Sequence, residues 1–292
     1  MSFFFISTAF ASSNEIDESD SFLDQLTGQG NAGYTKISNK NILLQKPSAP
    51  RTPKDLPPCR KPIVITRTLP KNVGETIRYT LNVNGLSVGT IDFRIEKRGA
   101  ANGRIITEYR SLFKITEVVA SLLPVEGRAA ALVADETYWP IQAMNNYKIS
   151  RNEFSEKQQF SADGHSARSH RIRNGKASDE QQSFPGAVQD FVSGFYFMRS
   201  LPQEADGCAI LYGNQRAYTA WVKYIATEQI KTPVGIRPSY RYDVKFASNK
   251  AQRAAMGRLW LSTGEERLPY KAELLTGTHL VGDIYLYETG KP

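Results

Sequence analysis

From about residue 61 onward, apolar and polar residues tend to alternate along the chain. In the segment 76–83 every odd residue is apolar and every even residue is polar, which is typical of a strand with one buried face. Asn84-Gly85 follows and predicts a tight hairpin, so the segment 90–96 should pair back antiparallel. The same pattern predicts further strands at 104–117, 129–139, 141–150, 152–161, 167–174, 217–230, 237–247, 256–263, 268–276 and 280–288.

One segment, near 188–201, departs from this alternation and has helical spacing. Its apolar residues include Val188, Phe191, Val192 and Phe195, and proline-containing turns flank the segment on both sides. An antiparallel sheet with one apolar face must cover that face, so we expect Phe191, Val192 and Phe195 to plug the sheet. The predicted fold is therefore mainly β, with a large antiparallel sheet curled into a half-barrel or a closed barrel around one buried helix.

The amino-terminal region is organised differently. Residues 1–11 resemble the end of a secretory signal peptide, with an apolar run before a small-x-small cleavage pattern, although no basic residue precedes the run. The alternative is an apolar end of a cytosolic protein. Residues 12–60 are polar and proline-rich, which predicts a disordered linker, and 61–292 are predicted to form a single β-rich domain. We therefore expect export to the periplasm or beyond.

Composition agrees with a folded domain that does not span a membrane by helices. Of the 292 residues, 40% are hydrophobic and 11% aromatic, which is far above what a disordered chain contains. No run of about 18 apolar residues is present. We therefore do not expect an integral membrane protein.

The expected export affects how the two cysteines are interpreted. Two cysteines of an exported protein usually pair, so Cys59 and Cys208 are predicted to form a disulfide, with two free thiols as the alternative. Cys208 is placed in a glycine-containing turn by its Asp206-Gly207 neighbours. Neither cysteine belongs to a CxxC motif or lies near a histidine in sequence, which argues against metal binding and redox catalysis.

Positive charge is concentrated in the predicted domain. Residues 1–60 are neutral, so 61–292 carry the whole net charge of +8. Arg168, His170, Arg171 and Arg173 form a basic stretch that is a candidate contact for an anionic lipid, with plain solubilising charge as the alternative. The stretch lacks the interleaved aromatics that stack on bases, so no nucleic acid partner is expected.

Signals of catalysis are weak throughout the sequence. His165 and His170 lie five positions apart, so on a strand they would point to opposite faces and would not form a metal pair. No Gly-x-Ser-x-Gly elbow, phosphate-cradling glycine loop or HExxH motif is present. We therefore predict no catalytic residue, metal or cofactor, and a hydrolase remains only the least favoured reading.

Several short motifs, in the same order and at matching spacing, make the chain resemble a bacterial family described as "domain of unknown function 3108". The resemblance covers about residues 70–288. It rests on the segments 74–79, 85–89, 190–202, 231–235, 257–262 and 266–269. Where relatives carry an Arg-Asp-rich stretch, this chain has Pro124-Val125-Glu126-Gly127-Arg128. The resemblance implies a secreted, envelope-associated β protein and no established activity.

Two functions follow from these observations. The first is a non-enzymatic periplasmic or envelope protein that binds an apolar or lipid-like ligand in its curled sheet. The alternative is an envelope scaffold or assembly factor that acts through contacts with other envelope proteins, using the 12–60 segment as a tether. The oligomeric state is not predicted.

Overall fold

A computed structural model of the 292-residue chain describes residues 56–65, 67–101, 103–116, 125–149, 152–232, 235–248, 254–276 and 279–290. The predicted signal peptide and almost all of the predicted linker lie outside these described residues. The division of the chain into signal peptide, linker and domain therefore stays a prediction.

The described residues form fifteen strands and one helix. Fourteen of the strands have eight residues or more, and the remaining one, β9, has two. The strands are β1 Thr76–Val83, β2 Leu86–Ala101, β3 Arg104–Ile115, β4 Val125–Ala134, β5 Pro140–Ile149, β6 Asn152–Phe160, β7 Ser166–Arg173, β8 Lys176–Ser183, β9 Val188–Gln189, β10 Asp206–Gly213, β11 Arg216–Thr232, β12 Gly235–Ser248, β13 Ala255–Ser262, β14 Pro269–Thr276 and β15 His279–Gly290. The helix, α1, is Phe191–Arg199.

All strands belong to one sheet in the order β8-β7-β6-β5-β4-β3-β2-β1-β15-β14-β13-β12-β11-β10-β9. Sequence neighbours pair antiparallel, except that β8 and β9 do not pair with each other and β9 runs parallel to β10. The first and last strands meet in the middle of the sheet, where β1 pairs with β15. This arrangement confirms the predicted mainly β fold, a large curled antiparallel sheet with one helix.

The sheet is not closed by strand pairing, since β8 and β9 form its two edges. Hydrogen bonds between β6 and the turn that connects β10 to β11 join the two end regions of the sheet instead. The buried carboxylate of Glu156 on β6 accepts hydrogen bonds from the backbone N–H of Asn214 (2.7 Å) and Gln215 (3.0 Å), in the turn between β10 and β11. Both turn residues have positive φ, 56° and 53°, as a tight hairpin requires. The β10–β11 hairpin is thereby fastened against β6.

The structure corrects several local predictions. Cys208 lies within strand β10 and not in a turn. Val188 belongs to β9, so the helix begins only at Phe191 and ends at Arg199. Strand β4 ends at Ala134, and the residues up to 139, which were predicted to continue the strand, form a turn instead. Strand β8 was not predicted, because its sequence KASDEQQS contains only one apolar residue.

Within the described part of the chain, no helix has the length and apolarity that a membrane span needs. The main core includes side chains from the inner, concave face of the sheet and from α1.

Candidate functional site

Helix α1 is started by a buried capping box. The Asp190 carboxylate accepts hydrogen bonds from the backbone N–H of Val192 (2.7 Å) and Ser193 (3.3 Å), while the Asp190 backbone N–H donates to Ser193 Oγ (3.1 Å). These bonds satisfy donors that the first helical turn would otherwise leave unpaired. Burial raises the pKa of the Asp190 carboxyl to about 6, although the hydrogen bonds to it oppose the shift.

The helix plugs the sheet through aromatic stacking. The Phe195 ring lies parallel to the Phe93 ring of β2, with centroids 3.6 Å apart and an interplanar angle of 4°. It also meets Tyr79 of β1 edge-on at 5.8 Å. On the next helical position, Tyr196 stacks on Tyr109 of β3 at 4.1 Å. Phe195 is 5% exposed and Tyr196 is fully buried, so this side of the helix is core.

The three predicted plug residues differ in burial. Val192 and Phe195 are buried in the main core, whereas Phe191 is half-buried. Phe191 packs instead on Tyr218 of β11, with ring centroids 5.7 Å apart. Its ring lies so close to Gly213 of β10 that a Cβ on that glycine would come within 2.3 Å of it. Phe191 therefore lies at the periphery of the packed helix face and not in its centre.

The last turn of α1 is anchored by a buried ion pair. The Arg199 guanidinium, 1% exposed, forms a two-pronged contact with the Glu75 carboxylate, and its Nη2 lies 3.1 Å from Glu75 Oε2. The same nitrogen donates to the backbone carbonyl of Glu266 at 3.0 Å. Since Arg199 is the last residue of the helix, the pair fixes that end of the plug to the segment before β1.

Beyond the plug, the inner face continues as an apolar row across neighbouring strands. The direct cross-strand partners in this row are Ile91 and Phe113, Phe113 and Gly127, Gly127 and Tyr147, and Tyr147 and Phe154. We call these five residues the inner row. Tyr147 and Phe154 stack with centroids 4.8 Å apart. Ile91, Phe113 and Tyr147 are half-buried, unlike the fully enclosed Tyr79 and Tyr196. The inner row thus contributes three half-buried apolar side chains to the inner face of the sheet.

The inner row ends at two arginines. Arg173 on β7 is the direct cross-strand partner of Phe154, and the guanidinium carbons of Arg171 and Arg173 both lie 5.2 Å from the centre of the Phe154 ring. Arg171 Nη1 also donates to the Asn214 carbonyl at 3.4 Å. An apolar row that ends at two guanidinium groups is complementary to an amphiphile with an anionic head.

The other two residues of the predicted basic stretch point away from this site. Because side chains alternate along a strand, Arg168 and His170 lie on the outer face of β7. His170 is exposed there and its Nδ1 is 3.0 Å from the Asp179 carboxylate. The predicted basic stretch is therefore divided between two faces, with Arg171 and Arg173 beside the inner row and Arg168 and His170 facing outward, and its contact with an anion stays a prediction.

Cys59 and Cys208 form a disulfide, with Cα atoms 5.6 Å apart. Backbone hydrogen bonds accompany it: the Cys208 N–H donates to the Lys61 carbonyl (2.8 Å), and the Ile63 N–H donates to the Cys208 carbonyl (2.9 Å). Residues 61–63 thus lie along the edge of β10 that does not pair with β11, before the residues of β10 that pair with β9. Gly207 permits this approach, because a Cβ there would lie 2.6 Å from the Lys61 carbonyl.

Titratable side chains in the described residues do not form a cluster suited to a metal ion. No group of three or more His, Cys, Asp or Glu side chains there has the geometry to hold a metal ion. The Tyr79, Tyr196 and Tyr212 hydroxyls are buried, and burial raises the pKa of each well above its ordinary value. These phenols therefore remain neutral, which suits a structural role in the core.

The sheet, its internal helix and the inner row define a mainly β protein built around a curled antiparallel sheet. The chain belongs to the family described as "Protein of unknown function (DUF3108)", whose model matches residues 78–282. None of the curated proteins matches the chain.

Three solved structures are similar in fold over about three quarters of this chain. One is from Bacteroides fragilis and is described as exported and YmcC-like in fold (10% identity, TM-score 0.38, covering 77% of this chain and 99% of that one). A second, from Parabacteroides distasonis, is described as a lipoprotein (10%, 0.36, 76% and 99%). The third is a beta-barrel-like protein of the domain of unknown function DUF1849 from Brucella abortus (8%, 0.49, 75% and 98%).

Proposed function

We propose that this protein is an exported, non-enzymatic binding protein that holds an apolar or lipid-like ligand on the inner face of its sheet, beside α1. The inner row carries this proposal. It is apolar, continuous across five strands and half-buried at Ile91, Phe113 and Tyr147. Apolar surface that a fold leaves partly uncovered in a concave site is what an apolar ligand would bury.

The polar end of the row refines the ligand class. Arg171 and Arg173 would place their charges next to a carboxylate or phosphate while the apolar part of the ligand lies along Phe154, Tyr147 and Phe113. Arginine suits this task because its planar fork can bind such anions through two parallel hydrogen bonds. The preferred ligand is therefore an amphiphile with one anionic end.

The disulfide supports the location. Disulfides persist in oxidising compartments such as the periplasm and are rare in the cytosol. The Cys59–Cys208 bridge fits a protein that folds after export, in the same compartment as envelope lipids.

Native mass spectrometry of the full chain, recovered from the cell envelope without detergent exchange, tests the proposal. We expect one lipid-sized adduct per chain. Phe113→Asn should reduce the affinity for it at least about tenfold, because a buried aromatic contact is worth roughly 1.5–3 kcal/mol.

Leu112→Asn is the matched control, since Leu112 is the adjacent residue on the outer face of β3, opposite Asp92. It should leave the adduct unchanged. A wild-type chain that carries no adduct, and copurifies instead with a stoichiometric envelope protein, would favour the scaffold alternative over ligand binding.

A further inference from the structure

A second concave site lies on the outer face of the sheet, beside the disulfide. It is a cleft of about 370 Å³ between the segment that contains Pro58, Arg60 and Lys61 and the strands β10 to β13. Its floor includes a row of direct cross-strand partners that runs from Cys208 to Trp221, Lys245 and Met256. This volume is within the range of small-molecule sites.

The wall of the cleft is fixed in place. The disulfide joins Cys59, between Pro58 and Arg60 in the wall, to Cys208 in the floor. The Cys208 N–H donates to the Lys61 carbonyl, and the Lys61 ammonium pairs with Asp206 at 2.8 Å. A site whose opposing walls are joined covalently loses little entropy when it takes up a ligand.

The side chains that line the cleft combine an aromatic surface with an excess of positive charge. Trp221 is half-buried, and the Lys245 ammonium lies 5.5 Å from the centre of its ring. Arg60, Lys61, Lys223 and Lys245 are all exposed, and they face only two carboxylates, Asp206 and Asp243. Since Lys61 and Asp206 pair with each other, three cations and one carboxylate remain to meet a ligand.

The carboxylate adds a second kind of recognition. Asp243 Oδ1 is buried and accepts no hydrogen bond from the described part of the protein. A buried acceptor of this kind is costly unless a donor reaches it, and a ligand hydroxyl is such a donor. The cleft therefore combines three kinds of recognition. It has cations that can bind an anion, a carboxylate that can accept hydrogen bonds from hydroxyls, and an aromatic face that can pack on an apolar ring surface.

We propose that this cleft binds a phosphorylated sugar, with the phosphate between Arg60, Lys223 and Lys245 and the sugar ring on Trp221. A pyranose ring has an apolar C–H face for the indole and hydroxyls for Asp243. This chemistry has two sources, a free sugar phosphate and the head group of a glycolipid. The site is on the opposite side of the sheet from the inner row, so it does not depend on the proposed function.

Isothermal titration calorimetry of the disulfide-bonded protein tests the proposal with glucose 1-phosphate, glucose and inorganic phosphate as separate probes. We expect glucose 1-phosphate to bind at least about tenfold more tightly than either of the other two, because only it engages both the cations and the aromatic face. A parallel arm uses vesicles with and without monophosphoryl lipid A. Binding to the vesicles alone would assign the site to a glycolipid head group, and binding of the soluble probe would assign it to free sugar phosphates.

Variants separate this site from general attraction to a basic protein. Trp221→Ala and Lys223→Glu should each weaken glucose 1-phosphate about tenfold or more, whereas Lys157→Glu, the same charge reversal at an exposed position of β6, should change affinity less than twofold. The proposal is overturned if neither glucose 1-phosphate nor the vesicles with monophosphoryl lipid A bind. It is also overturned if inorganic phosphate binds as tightly as glucose 1-phosphate, or if Lys157→Glu weakens binding as much as Lys223→Glu. Since Lys223 is exposed, its variant remains informative if Trp221→Ala fails to fold.

Discussion

Removal of the Phe195 ring tests whether α1 is an internal plug of the sheet. Phe195 is 5% exposed, lies parallel to Phe93 at 3.6 Å and meets Tyr79 edge-on at 5.8 Å. Phe195→Ala removes the buried ring and leaves a cavity between α1, β1 and β2. Changes from phenylalanine to alanine in protein cores cost about 3–5 kcal/mol, and the burial and stacked contacts of Phe195 place this one near the middle of that range.

The assay is equilibrium unfolding in urea, followed by circular dichroism with the disulfide intact. We expect a loss of about 4 kcal/mol in the free energy of unfolding, equivalent to a fall in melting temperature of roughly 8–16 °C for a domain of this size. Phe191→Ala is the control on the same helix, and because Phe191 is half-buried its cost should be about 1–2 kcal/mol. A Phe195→Ala variant no less stable than Phe191→Ala would refute the plug.

Three further changes have defined outcomes. Burial raises the pKa of Asp190 from 3.8 to about 6, so the stability that its protonated form contributes is present below about pH 4 and is lost as the pH rises through 6. Asp190→Asn should remove this decrease in the free energy of unfolding, measured by urea unfolding between pH 4 and 7. An unchanged pH dependence in the variant would contradict the assignment. Glu75→Gln leaves the Arg199 charge buried without its partner and should lower the free energy of unfolding by about 3–5 kcal/mol. The control Asp92→Asn, in an exposed pair, should lower it by less than about 1 kcal/mol. Equal losses in the two variants would argue against a buried anchor. Reduction of the disulfide should destabilise the domain by about 2–5 kcal/mol, and peptide mapping that finds both thiols free in envelope-derived protein would remove this expectation.

Much of the fold could be predicted because half-buried strands leave a local signal. Ile77, Tyr79 and Leu81 alternate with polar residues, and the structure places all three on the inner face of β1. The signal fails where a strand is not half-buried. In β10 both faces are covered, so the sequence from Cys208 to Tyr212 is almost continuously apolar and shows no alternation. At the edge strand β8 almost nothing is buried, so polar residues dominate.

The candidate site was less accessible to sequence reasoning. Phe113, Tyr147 and Phe154 come from three different strands, and only the register of those strands makes them neighbours. Register depends on contacts between residues distant in sequence, which local patterns do not encode. The basic stretch on β7 could be found from sequence, but its division between two faces follows only from the direction of each side chain. The outer cleft likewise needs the disulfide to bring Arg60 next to Trp221.

Site-specific photocrosslinking in living cells tests ligand binding on the inner face most directly. Benzoylphenylalanine in place of Phe113 puts a photoreactive group in the inner row, and the same residue in place of Leu112 puts it one position away on the outer face of β3. After irradiation and purification, we expect a covalent lipid adduct by mass spectrometry from position 113 and none from position 112. Absence of a lipid adduct at 113, or equal labelling at 112 and 113, would contradict a ligand bound beside α1.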